Sequence, residues 1–204
     1  MRQLTRQLMH APWLRIAMLV GIVVLASGCG IQSIPMAKNE VDASLAEVMN
    51  QYKRRSDLIP NLVETVKGYA KQENSTLTAV TEARARATSM NIDPSKVSPE
   101  DLQKFSQAQG QLSQALGRLL MVTENYPDLK SNQNFRDLQA QLEGTENRIT
   151  VARNRYIESI KIFNNLVTVF PTSLTNSLMF KHQPMPQFGA EMTEEEKKAP
   201  AVKF

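Results

Sequence analysis

The stretch Phe135–Phe170, FRDLQAQLEGTENRITVARNRYIESIKIFNNLVTVF, decides the fold class of this chain. Phe135, Leu138, Leu142, Thr145, Ile149, Ala152, Tyr156, Ser159, Phe163, Leu166 and Phe170 recur at alternating steps of three and four without a slip. An α-helix brings such positions onto one face, and a seam of this period packs against another helix. Thr145 and Ser159 are its two polar interruptions. A helix over about 132–170 is roughly 60 Å long at 1.5 Å per residue. Pro171 ends it.

The signal repeats upstream. Ser98-Pro99-Glu100-Asp101 supplies an N-cap, a first-turn proline and two first-turn acids. Leu102, Phe105, Ala108, Leu112, Ala115, Leu119, Val122 and Tyr126 then carry a seam up to Pro127, and 90–98 is a connector. Further back, Val41, Leu45, Val48, Tyr52, Ile59, Leu62, Val66, Tyr69, Val80, Ala83 and Ala87 predict one helical path over 38–89. Pro60 lacks a backbone donor and crowds the carbonyl of Ser56, so the path is expected to kink or break near 56–60. Helices this long bury their stripes only against one another. The expectation is an all-α chain, an elongated antiparallel bundle of three to four long helices over 38–180, the first kinked near Pro60. From 181 the chain turns Pro-, Met- and Glu-rich without a period, which predicts a disordered tail over 181–204.

The N-terminus has the parts of a secretory signal. Arg2, Arg6 and Arg15 precede the apolar run Ile16–Ala26, and no acid occurs before Glu40. A spanning helix needs about 20 apolar residues, more than this run offers. Ser27 and Gly28 precede Cys29, the one cysteine of the chain, in the manner of a bacterial lipoprotein box. The expected processing is cleavage of a signal peptide over 1–28 and acylation of Cys29, with diacylglycerol on the thiol and a fatty acid such as palmitate on the freed amine. Residues 29–37 are then a linker. With Gly30 after the cysteine, a host with two membranes is expected to sort the protein to the outer one, on its periplasmic face. The competing reading is an uncleaved membrane anchor.

Charge excludes one partner class. Removing Arg2, Arg6 and Arg15 from the 24 basic residues leaves 21 against 20 acids, so the processed chain is nearly neutral and offers no case for nucleic acid. The inventory for catalysis is also poor. His10 falls in the signal and His182 in the expected tail, which leaves the bundle without histidine. Nucleophile–histidine pairs, His/Cys metal sites and the Glu-x-x-His di-iron pattern are missing, and so are phosphate loops. The chain is expected to be no enzyme, with no cofactor and no metal. Glu143 and Glu146 beside Arg148 read as a solvated face.

Two blocks carry more than periodicity. KRRSDLIPNLVETVKGYA (53–70) and ENYPDLKSNQNFRDLQAQLEGTENRI (124–149) resemble signature segments of the LemA family, with ARARA at 83–87 and Phe170-Pro171 in similar places. The likeness covers about 40–180. It implies a bacterial envelope protein with a membrane-attached N-terminus and a long antiparallel helical bundle, and it supplies no reaction. The chain departs from the family pattern at Ile157, where an Asn often follows the tyrosine, and in having a lipobox where members commonly keep a spanning helix.

Two surfaces are candidates for binding. Lys53, Arg54 and Arg55, with Asp57, Pro60 and Asn61 around the bend, form a candidate interaction surface. The basic run reads as an exposed helix face open to anionic headgroups or a partner. The bend reads first as structure, with Asp57 and Asn61 capping groups freed by Pro60, and second as a recognition surface. Glu124, Asn125, Tyr126, Pro127 and Asn134 form a candidate inter-helix turn. The functional expectation is a lipid-anchored scaffold or adaptor for other envelope proteins, in a membrane reached through its N-terminal lipid. The alternative is a protein whose amphipathic helices bind or remodel membrane.

Overall fold

The computed structural model describes residues 12–90 and 92–186, with side chains described from residue 31 onward. The Cys29 side chain and the tail beyond Pro186 lie outside the described residues. Within them the chain is all-α: six α-helices and no strand. These are α1 (Pro12–Tyr69), α2 (Asn74–Thr88), α3 (Pro99–Thr123), α4 (Pro127–Ser131), α5 (Gln133–Thr168) and α6 (Thr172–Thr175), and a π-helical turn follows at Asn176–Phe180. No helix of the described residues is long and apolar enough to cross a membrane.

The chain divides into two compact units, a central one of Asp42–Tyr156 and a flanking one of Met1–Val41 with Ile157–Phe204. The central core gathers Ile59, Leu62 and Val66 of α1 with Leu77, Val80, Ala83 and Ala87 of α2. Leu112, Leu116 and Leu119 of α3, Leu129 of α4, and Phe135 and Leu142 of α5 complete it. Burying each larger side chain contributes about 1.5–3 kcal/mol. The expected cap of α3 is present, since Ser98 Oγ accepts from the Asp101 backbone N–H at 3.1 Å. Thr145 and Ser159 are buried members of the α5 seam.

Several expectations are corrected. The path over 38–89 is not broken near Pro60: α1 is helical through 56–60, and the interruption lies at 70–73, just past Gly68. Residues 29–37, expected as a linker, are part of α1. The reason is that the seam begins earlier: Ile34 and Ala37 stand at steps of three and four from Val41 and are buried. A short α4 interrupts the expected turn, with Pro127 in its first turn.

At the C-terminal end α5 stops at Thr168, so Phe170 leaves the seam and is 79% exposed, while Ile160, Phe163 and Val167 are buried. Lys181 takes a left-handed conformation (φ 55°), reversing the chain after the π-helical turn. Residues 181–186, assigned to the tail by sequence, consequently fold back. The Asn176 amide accepts from His182 N–H and donates to His182 C=O, both at 2.9 Å. The Asn164 amide does the same to Met185, at 2.7 and 2.8 Å. The His182 ring stacks on Phe180 and meets Phe163 edge-on.

Candidate functional site

The buried seam of α1 runs through Val48, Tyr52 and Ile59, and the step of seven between the last two must be filled. Arg55 and Ser56 fill it, and both are buried. Arg55 is thus no part of the exposed basic face expected of it. Lys53 and Arg54, together with Asp57, Pro60 and Asn61, are exposed. Helical phase separates three consecutive cations: at 3.6 residues per turn Arg55 falls under Tyr52 while its two predecessors point away.

Arg55 ties α1 to two other helices. Its Nη1 donates to Glu146 Oε1 and Oε2 at 2.7 and 3.1 Å and to Ser113 Oγ at 2.8 Å. Its Nη2 donates to the Gln109 carbonyl at 3.2 Å and to Gln109 Oε1 at 2.7 Å. The guanidinium lies 5.1 Å from the Tyr52 ring centroid, and Tyr52 meets Phe105 edge-on at 5.3 Å. The Arg55 side chain is 3% exposed and that of Glu146 49%. The pair therefore has a dry cationic end and a wet anionic end. A buried cation stripped of such partners is costly, so acceptors on α3 and α5 are held to it. Burial pushes the Tyr52 hydroxyl up, against the pull of Arg153 and Arg55, with Glu146 adding to the rise. Arg55 Nε and Gln51 Oε1 are buried without a hydrogen-bond partner among the described residues.

Pro60 joins this cluster through the backbone. Lacking an N–H, it leaves the carbonyl of Ser56 without its helical donor. Arg84 Nε of α2 donates to that carbonyl at 2.8 Å. The capping expected of Asp57 and Asn61 is supplied instead by an arginine of the next helix. Three of the quoted segments thereby converge: KRRSDLIP through Arg55 and Ser56, ARARA through Arg84, and LEGTENRI through Glu146.

The candidate turn is mainly capping chemistry. Glu124 pairs with Lys130 at 2.6 Å, Asn125 is exposed, and Pro127 sits in the first turn of α4. Tyr126 donates to Glu73 at 3.2 Å, and partial desolvation with the Glu73 carboxylate raises its phenol. Asn134 is exposed in the first turn of α5, and the capping residue is Asn132. Its Oδ1 accepts from Phe135 N–H at 3.0 Å, and its Nδ2 donates to the Tyr69 hydroxyl at 2.9 Å. The two turns, 70–73 and 124–132, are therefore stitched together.

Sequence reasoning missed Ser113, Gln109, Arg84 and Glu146 as a set. Gln109 and Ser113 share a face four residues apart, but no sequence pattern marks them as acceptors for Arg55. The arrangement holds helices in register and leaves Glu146 as its solvent-facing group. Among the described residues no cluster of His, Cys, Asp or Glu gathers in a metal-ligating arrangement. Against known proteins, the LemA family profile matches residues 44–204. Protein LemA of Metamycoplasma hominis is 26% identical over 136 residues, which is 67% of this chain and 58% of that protein. The chain thus spans less than two thirds of this relative's length.

Proposed function

The chain belongs to the LemA family, and from that premise we propose that it is a lipid-anchored, non-catalytic scaffold of the bacterial envelope, presenting a stiff helical bundle to protein partners. The observation that carries this reading is the inward use of polar residues from the segments that resemble the family's. Arg55, Arg84 and Glu146 are engaged in tying α1 to α2, α3 and α5. What they produce is rigidity. The four long segments of the central unit read as an alternating bundle. The pairs Arg55–Glu146 and Tyr69–Asn132 fit an antiparallel α1 and α5, and Ser56–Arg84 fits an antiparallel α1 and α2.

The tether is Cys29, acylated after removal of 1–28, and more than one acyl chain is what holds a protein stably at a membrane. In a host with two membranes the site of action is the periplasmic face of the outer one. The exposed residues Lys53, Arg54, Asp57 and Asn61 remain the candidate partner surface. Metabolic labelling with a fatty-acid probe tests the tether: the wild type takes up label and Cys29→Ser does not, and normal processing of that variant defeats the reading. Photocrosslinkers at Arg54 and Asn61 in living cells are expected to capture discrete envelope proteins. Capture of lipid alone at both positions contradicts the scaffold role.

A further inference from the structure

Exposed apolar side chains are unevenly distributed in this molecule. Of the eleven large ones among the described residues, eight fall in the flanking unit, although the central unit holds more of those residues. Five of the eight, Val169, Phe170, Leu174, Leu178 and Met179, lie within eleven consecutive residues. Phe170 and Leu178 are 79% and 72% exposed.

This turn is built to face outward. Thr175 and Asn176 are its buried side, and the Asn176 amide grips Val167 C=O as well as both backbone groups of His182. Phe170 in the turn before α6, Leu174 of α6 and Leu178 of the π-helical turn are all exposed, an apolar ridge apart from that buried side. An apolar ridge costs free energy in water, and the polar clamps behind it prevent it from folding inward.

Charge and chain path indicate the occupant. From Ser159 to Pro186 there is no Asp or Glu, and Lys181 stands directly after the ridge, whereas Lys161 before it pairs with Glu158. Apolar side chains beside an exposed lysine and away from acids suit an anionic lipid surface. Cys29, the proposed point of attachment, belongs to the same unit. We infer that the 169–179 turn is a membrane-docking ridge, its apolar side chains seated in the headgroup–acyl boundary of the bilayer that carries the N-terminus. This rests on the membrane-tethered reading above.

The test uses the full chain in vesicles of phosphatidylethanolamine and phosphatidylglycerol with brominated acyl chains. Trp13 is the one tryptophan of the sequence, so Trp13→Phe gives a silent background. Phe170→Trp and, separately, Leu178→Trp are expected to show blue-shifted emission and strong quenching by the brominated lipid. Both effects should weaken in phosphatidylcholine vesicles. Val151→Trp, at an exposed site of the central unit, is expected to stay unquenched. Water-like, unquenched emission from both ridge tryptophans in chains that float with the vesicles overturns the inference. Blue-shifted emission without quenching overturns it in favour of a protein occupant, and equal quenching at Val151 overturns its specificity. Failure of the lipid tether is scored separately by fatty-acid labelling, since only vesicle-bound chains enter the fluorescence measurement.

Discussion

Replacing Glu146 probes the clasp at its accessible end. In Glu146→Ala the Arg55 cation, 3% exposed, keeps only neutral acceptors, Gln109 and Ser113. Breaking a fully buried pair costs about 3–5 kcal/mol, and a charge-assisted hydrogen bond contributes about 1.5–3. Glu146 is half-exposed, which admits water to the cut end and places the loss near the bottom of the first range, about 3 kcal/mol. For a chain of this size that lowers Tm by roughly 6–12 °C. Glu146→Gln keeps an acceptor oxygen and is expected to lose about 2 kcal/mol. In an Arg55→Met background the carboxylate has no cation to serve and returns to water, so Glu146→Ala then costs less than about 0.5 kcal/mol, the limit of additivity for uncoupled sites. The cycle thus predicts a coupling above about 2 kcal/mol, read by urea and thermal denaturation of the four full-length proteins by circular dichroism. Additive losses, or a Glu146→Ala protein as stable as wild type, refute the reasoning.

Other perturbations test separate parts of the molecule. Arg84→Met removes the donor to the Ser56 carbonyl and is expected to cost about 1–3 kcal/mol; no loss of denaturation midpoint means that water serves that carbonyl equally well. Asn164→Ala deletes both bonds to the Met185 backbone, about 1 kcal/mol each, so exchange of the Met185 amide should accelerate roughly 10- to 30-fold. Unchanged exchange refutes the clamp. Burial, with Asp42 adding to the rise, pushes the Tyr156 hydroxyl up to about 12. An unfolded tyrosine ionises near about 10, so above that pH the unfolded chain sheds a proton that the folded chain keeps. Its contribution is intact below about 10 and is lost as pH climbs towards 12. Tyr156→Phe is expected to flatten that alkaline decline, and an unaltered slope contradicts the assignment.

The helical architecture was legible because seams of three and four encode it directly, and Phe135, Leu142, Ile149 and Tyr156 lie buried where the spacing puts them. The ends of elements were less so. Phe170 keeps the period of α5, yet the helix stops two residues earlier, and periodicity carries no information about where a backbone turns away. Pro60 reads in the sequence as a kink or a break, because nothing in the sequence shows that another helix will supply the missing donor. Arg55 was misread through its neighbours, since three consecutive cations suggest an exposed face. Its phase between Tyr52 and Ile59 was the contrary signal, visible in the seam as a gap of seven. Glu146 stands one residue beyond the buried Thr145, at the seam's edge, a position that serves a solvated carboxylate and a clasp equally well. Only the partner helix decides between them.

The bond from Arg84 to the Ser56 carbonyl also bears on the order of synthesis. A proline inside a helix costs about 3 kcal/mol, and before α2 exists the Ser56 carbonyl has only water to bond. The chain emerges from its N-terminus, so residues up to Tyr69 leave the ribosome before the arginine that completes their helix. The half of α1 beyond Ser56 therefore gains its missing donor only when α2 packs against it. A nascent chain stalled before Arg84 emerges would carry a helix still open at its proline.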